Sequence, residues 1–461
     1  QAMVVAAKGT GEPLSILQMT LFSTVTSILG IVSVIFLRQI LIVKNEELPE
    51  KDRLPWVGSQ AVKSMIDTLM AIGESIQPRY LAVFTVGSIV YVLFNDSGIG
   101  WVPEERAITV FGLSAFGAAI AFGPFLTGAS YLMGMRTCVG FLVGGIALVS
   151  IAHITPEPDA PHRFIWPGVM FLVTSGLTAL ACNWRMIGKA IASLFHARGG
   201  SDDDPIMSGK TFAILTVLSL VIVVVFFYVS FQLTAIVIAT MIVFGGIFLQ
   251  IIASRGAAQT YFNPIRVMST LLAGVSATLG ASSAHASLSA AGFMAGTNCQ
   301  ATNLSGDMAY GRWYRFPSRW QFWTQASTIL VSAFVAALIF DFIRDQFPMI
   351  HDSKEGLKAP VAKMWATMAL LFDPDMKLNL PQFAIESMWI AGAIGVIYAL
   401  FEELTKLRSW MPGSVGIGLG MVLSPSAGFG FFLGGLAMFY LLGRFLKVNP
   451  LTLNTIAISC V

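Results

Sequence analysis

Charge is what this sequence is short of. Only 11% of its 461 residues are Asp, Glu, Lys or Arg, and 55% are hydrophobic, with a mean hydropathy of +0.74. A soluble domain carries about 25% charged residues, so a water-soluble globular fold is excluded. The net charge is +3, and no basic surplus points to nucleic acid. Cysteine is equally scarce. Cys138, Cys182, Cys299 and Cys460 form no CxxC pair and sit mostly in apolar runs. They read as small packing residues, not as a disulfide framework or a metal cluster. The five histidines are dispersed, and HExxH, Walker A and GxSxG sequences are all missing. An ATP-driven pump, a hydrolase or another enzyme has no support, and no cofactor or metal is implied. No signal peptide is visible, and the chain opens on Gln1, already in membrane pattern by Pro13. Further sequence is expected upstream.

What the chain has instead is long apolar runs of the length a spanning helix needs, without the short alternating segments of a membrane barrel. The expected fold is all-α: a polytopic helical membrane protein of two homologous halves, with about 12–14 membrane segments, some re-entrant or broken. Spans are predicted over 14–37, 80–95, 107–126, 136–153, 164–186, 211–231, 232–253, 267–294, 320–343, 382–401, 412–425 and 428–446, while 361–372 is too short to cross. Basic residues gather in Arg38–Lys63, Arg185–Lys210 and Arg312–Arg319, which places these stretches on the cytoplasmic side. The insertions at 44–79 and 345–381 suit extra surface helices.

Two words recur in the same order. "IVYVLF" at Ile89–Phe94 returns as "VIYALF" at Val396–Phe401, and "FLVGGIA" at Phe141–Ala147 as "FFLGGLA" at Phe431–Ala437. Together they suggest a duplication, a common transporter plan, with halves over 1–205 and 206–461. Short Gly-aliphatic words also recur by chance. Lys406 and Arg408 follow the second copy where the first has an acidic loop, which a simple direct repeat does not explain.

Polarity concentrates in a few places. Asn298–Trp320, "NCQATNLSGDMAYGRWYRFPSRW", separates two apolar segments. At membrane depth an unpaired polar group costs several kcal/mol, so Asn303, Ser305 and Asp307 either line a cavity, with Gly296, Gly306 and Gly311 bending the backbone, or belong to a hydrated loop. Asp307 leads, because an intramembrane carboxylate is a functional candidate by default. At "YFNPIRVMST", Tyr261–Thr270, Asn263-Pro264 disfavours helix. The freed backbone there, with Arg266, suits a substrate carboxylate or a lipid phosphate. In "GASSAHASLSAAG", Gly280–Gly292, His285 can carry a proton or be tied to a neighbouring helix. Tyr131, in a glycine-rich turn at Phe125–Arg136, is a gate candidate, and "LSPSAG" at Leu423–Gly428 is a similar break. Gly11-Glu12-Pro13 and Glu386 read as helix-end features.

Read in order, these words resemble the oligopeptide transporter family, specifically its bacterial branch. "FLRQILIV" followed by "LPWVGSQAV" is similar to its basic helix end and Leu-Pro-aromatic-Pro-Glu-Gly block, "FNPIRVMSTLL" to its Asn-Pro-Gly block, and "ATNLSGDMAYG" at Ala301–Gly311 to its Ala-Gly-Asp-Thr-Ser-Gln-Asp-Leu-Lys-Thr-Gly block. Ser305, Asp307 and Gly311 keep that last pattern. The resemblance implies a proton-coupled symporter of small peptides, peptide-like solutes or metal chelates in the bacterial inner membrane, working by alternating access among lipids. Asn263, Arg266, Asn303, Ser305 and Tyr131 would then meet substrate, while Asp307 and His285 couple protons. It also implies about two helices upstream of this chain. Departures point to an alternative. Trp56-Val57-Gly58 loses the block's glutamate, and Ile265, Asn303 and Ala309 replace a glycine, an aspartate and a lysine. That pattern also suits a transport-inactive relative serving other membrane subunits as a structural partner.

Overall fold

The computed structural model describes residues 14–46, 53–70, 77–95, 99–103, 105–109, 119–154, 165–182, 204–260, 262–281, 283–346, 382–405 and 410–460. Its elements are helices α1 (Ile16–Glu46), α2 (Val57–Met70), α3 (Gln77–Phe94), strands β1 (Glu105–Ala107) and β2 (Ala119–Ala121), then α4 (Pro124–Met133), α5 (Met135–Ile154), α6 (Ile165–Cys182), α7 (Gly209–Phe231), α8 (Ala235–Thr260), α9 (Ile265–Thr278), α10 (Ala284–Trp313), α11 (Ser318–Gln346), α12 (Gln382–Leu404), α13 (Ser414–Val422), α14 (Pro425–Phe445) and α15 (Pro450–Cys460). Among the described residues six helices are long and apolar enough to cross a membrane, and α4 with α5, bent by 120°, makes a seventh when counted as one span. The protein is an all-α, multi-pass membrane protein.

Helix starts follow capping rules. Ser15 forms a capping box with Gln18 at α1, and Ser208, Ser283 and Ser424 each accept a backbone N–H at α7, α10 and α14. Among the described residues three helices contain π-turns, at Gln39–Val43 in α1, Met241–Leu249 in α8 and Ala437–Phe445 in α14. Such widened turns are frequent at functional sites.

The chain divides into two compact units, each from non-consecutive segments: residues 1–53, 185–254 and 263–381, and residues 54–184, 255–262 and 382–461. Packing and ancestry are separate matters, so this division does not speak to halves at 205/206. In the first unit α10 is the central helix, packed on α1 and α9. Small residues make that approach possible. A Cβ on Gly30 would stand 2.6 Å from the Thr297 carbonyl oxygen, and one on Gly292 would stand 2.7 Å from the Phe22 ring. Phe22, Phe226, Phe227, Phe231 and Phe293 form an edge-to-face cluster beside it. α7 and α11 are only 22% and 17% buried yet strongly apolar, so their outer faces meet lipid. Described residues from the three basic stretches assigned to one membrane side meet in this unit. Arg38 lies 3.9 Å from the Asp204 carboxylate, which accepts the Ser318 N–H at 2.7 Å, and Arg312 pairs with Glu46 at 2.7 Å.

In the second unit two broken helices face each other, α4–α5 and α13–α14, locked by glycine. Gly140 and Gly144 of α5 meet Gly416 and Gly420 of α13 backbone to backbone, and Gly434 of α14 sits against the Thr127 and Leu126 backbone of α4. α6 packs on α12, with Gly395 against the Phe171 carbonyl. All four copies of the recurrent words lie in this unit, on α3, α12, α5 and α14.

Several expectations need correction. The span predicted over 107–126 is not one helix: among its described residues Ala107 and Ala119–Ala121 belong to the antiparallel strands β1 and β2, and only 124–126 are helical, as the start of α4. The span over 267–294 breaks at Leu279–Ser283, where Gly280 adopts φ +113°, so α9 and α10 are separate helices. The insertion at 44–79 does carry a helix, α2. The segment 361–372, Gly11–Pro13 and Lys406–Arg408 lie outside the described residues.

Candidate functional site

The polar stretch from Asn298 is neither a loop nor a bend. It completes α10, a continuous helix of 30 residues, in which Gly296 and Gly311 serve close packing: a Cβ at either would collide with Thr26 or Gln321. Helical spacing sorts the polar side chains onto two faces. One faces α1 and α8. The Asn298 amide donates to the Gln250 carbonyl at 3.5 Å, Thr302 and Ser254 share a 2.9 Å hydroxyl bond, and Gln250 donates to the Ser33 hydroxyl at 2.6 Å. Ser305 lies on this face, fully buried, and its hydroxyl has no hydrogen-bond partner among the described residues.

The other face holds Asp307. Its carboxylate accepts from Gln325 of α11 at 2.7 Å, and Gln325 in turn accepts from Gln300 at 3.3 Å. Gln321, one turn earlier on α11, donates to the Asp307 carbonyl at 2.8 Å, an approach that Gly311 leaves open. Asn303 stands one turn before Asp307 on the same face, exposed, its amide 3.7 Å from the Cys299 sulfur. Asn303 and Asp307 are thus neighbours, and Ser305 points elsewhere.

The break expected at Asn263-Pro264 is present. α8 ends at Thr260, and α9 starts at Ile265. The Thr260 hydroxyl donates to the Gly256 carbonyl at 2.8 Å, and the Asn263 side-chain oxygen is buried without a partner among the described residues. Arg266 falls in the first turn of α9, and its side chain is outside the described atoms. His285 opens α10 just after the Ser283 cap, and its Nε2 is buried and likewise unpartnered. Twenty-two residues separate it from Asp307, about 33 Å along one helix, a full hydrocarbon thickness. Tyr131 belongs to the second unit. It stacks on Phe439 with centroids 4.9 Å apart, beside Met438 and Leu453.

Other buried oxygens went unnoticed in the sequence. Ser269 and Ser276, seven residues apart on one face of α9, Thr297 of α10 and Oε1 of Gln250 are all fully or nearly fully buried and lack a partner among the described residues. Other helix hydroxyls in the unit, such as Ser289 and Thr26, bond back to their own helix. Gln321 and Gln325 were legible as an i, i+4 amide pair in an apolar helix. Nothing local marked Gln250.

A multi-pass bundle with broken helices and a seam of buried amides and hydroxyls beside a half-buried carboxylate suits a membrane transporter. The family model described as OPT oligopeptide transporter protein matches residues 169–456, more than half of the sequence, and the chain belongs to that family. Among curated proteins no sequence matches it.

Proposed function

We propose that this transporter is a proton-coupled symporter of small peptides, peptide-like solutes or metal chelates, working by alternating access in a bacterial inner membrane. The observation that supports this best is the set of buried oxygens of Gln250, Ser269, Ser276, Thr297 and Ser305 on α8, α9 and α10 that have no partner among the described residues. Each unmade hydrogen bond costs about 1–3 kcal/mol, and at membrane depth such groups are tolerated where they meet water or a polar solute. In this reading Asn263, Arg266, Asn303, Ser305 and Tyr131 contact substrate, and Asp307 and His285 carry protons. The two are separate stations, one at each end of α10. The halves over 1–205 and 206–461 are kept as the proposed duplication.

A second reading, a transport-inactive subunit of a larger membrane complex, is favoured by one observation. Ala309, where the resemblance puts a lysine, is 2% exposed, so that position is packed shut against a long cation. The test is uptake of a labelled di- to tetrapeptide mixture into proteoliposomes. Symport predicts accumulation under an inward proton gradient that a protonophore abolishes. Uptake indifferent to the gradient would overturn the coupling, and failure across peptide and chelate mixtures would favour the subunit reading. Gln325→Leu, which strips Asp307 of its amide donor, is expected to lower the gradient-driven rate by about an order of magnitude. An unchanged rate would show that the α10–α11 seam is mere packing.

A further inference from the structure

The second broken helix has an awkward beginning. α13 starts after Gly413, which has no side chain with which to cap it. Its first N–H, that of Ser414, is received at 3.4 Å by the Glu402 carboxylate of α12. Glu402 is 8% exposed, and its other oxygen pairs with Arg136 in the first turn of α5. Arg136 also donates through Nε to the Met411 carbonyl at 2.8 Å, and its own carbonyl accepts the Gly413 N–H at 3.3 Å. The Tyr398 hydroxyl donates to the Pro412 carbonyl at 2.8 Å. Beside it, Glu403 pairs with Arg255 at 2.9 Å.

Both charges of the first pair stand at unfavourable ends of their own helices. Glu402 is in the last turn of α12, where a carboxylate meets the negative pole, and Arg136 is at the positive start of α5. The Glu402 carboxylate is relieved on both sides, by the positive start of α13 and by the Arg136 guanidinium, which also holds the Met411 carbonyl just before α13. The pair is therefore directional.

We infer that Glu402 is the missing N-cap of α13, supplied by a different helix, and thereby the positioning residue that sets where this broken helix begins. This does not rest on the substrate or coupling ion proposed above. Hydrogen exchange of the 411–422 segment, measured by mass spectrometry on the full chain in lipid nanodiscs, tests it, with Gly209–Phe231 in the other unit reporting that the protein is folded. Glu402→Leu is expected to raise exchange in 411–422 at least tenfold, and Glu402→Gln, which keeps an acceptor for the Ser414 N–H, less than threefold. The double exchange Arg136→Glu with Glu402→Arg restores opposite charges but sets a guanidinium, which accepts no hydrogen bond, against the positive start of α13. It should exchange as fast as Glu402→Leu. Wild-type protection in the double exchange would reduce the contact to a plain ion pair and overturn the inference. So would equal exchange in Glu402→Leu and Glu402→Gln, and that comparison decides alone if the double exchange does not fold.

Discussion

Asp307→Asn should stop gradient-driven accumulation while leaving the protein folded. Asparagine matches aspartate in shape and still offers an oxygen to the Gln325 amide, 2.7 Å away in the wild type, so the α10–α11 seam survives. What it loses is the ability to take up and release a proton. If Asp307 is the coupling group, uptake driven by the proton gradient falls below about a tenth of wild type, as expected for loss of an intramembrane ionisable group. Exchange of labelled for unlabelled solute at equal concentrations persists, because exchange needs no net proton movement. Both assays use the same vesicles. Loss of both activities would make Asp307 a structural or substrate-binding group, and full retention of uptake would remove it from the mechanism. The companion His285→Gln tests the far end of the helix: a partial loss is expected, additive with Asp307→Asn in neither assay if protons use a single route.

The second large effect is structural. Gly144→Val should prevent the second unit from assembling. A Cβ at Gly144 would stand 2.8 Å from the Gly420 Cα and closer still to the Ile417 carbonyl. Neither neighbour is a side chain that can rotate away. Overpacking a core ordinarily costs about 1–3 kcal/mol, and a rigid backbone on the far side pushes a branched residue to the top of that range or past it. The expected result is loss of a monodisperse peak in detergent. Gly87→Val is the control. Nothing lies within 4 Å of that position, and α3 there faces outward, so the variant should purify like wild type. Equal behaviour of the two would refute the glycine interlock.

Hydropathy made most of the spanning helices legible, because burying a 20-residue segment in lipid leaves an unmistakable apolar run. It failed where the signal is locally neutral. The chain around Leu279–Ser283 carries no proline and no charge, and only Gly280 and the capping Ser283 hinted at the turn. Asn298–Gly311 read as a loop or cavity lining because Asn, Ser, Asp and Gly are weak helix formers. Packing against α1 and α11 overrides that preference. Asp307 was legible as a lone carboxylate in apolar surroundings. Its Gln325 partner is 18 residues on, and Glu402 is 266 residues from Arg136. No local pattern carries pairings of that range.

The interleaving of segments also has a consequence in time. α6 emerges from the ribosome about 200 residues before α12, on which it packs, and α5 waits longer still for α13. At about 5–20 residues synthesised per second that is a delay of roughly 10–40 s. Through it the glycine-lined face of α5 lies in the membrane without its partner, so the second unit closes only as the last quarter of the chain arrives. A truncation near residue 380 would therefore strand half-built helices for the membrane's quality-control proteases, however well the first unit had folded.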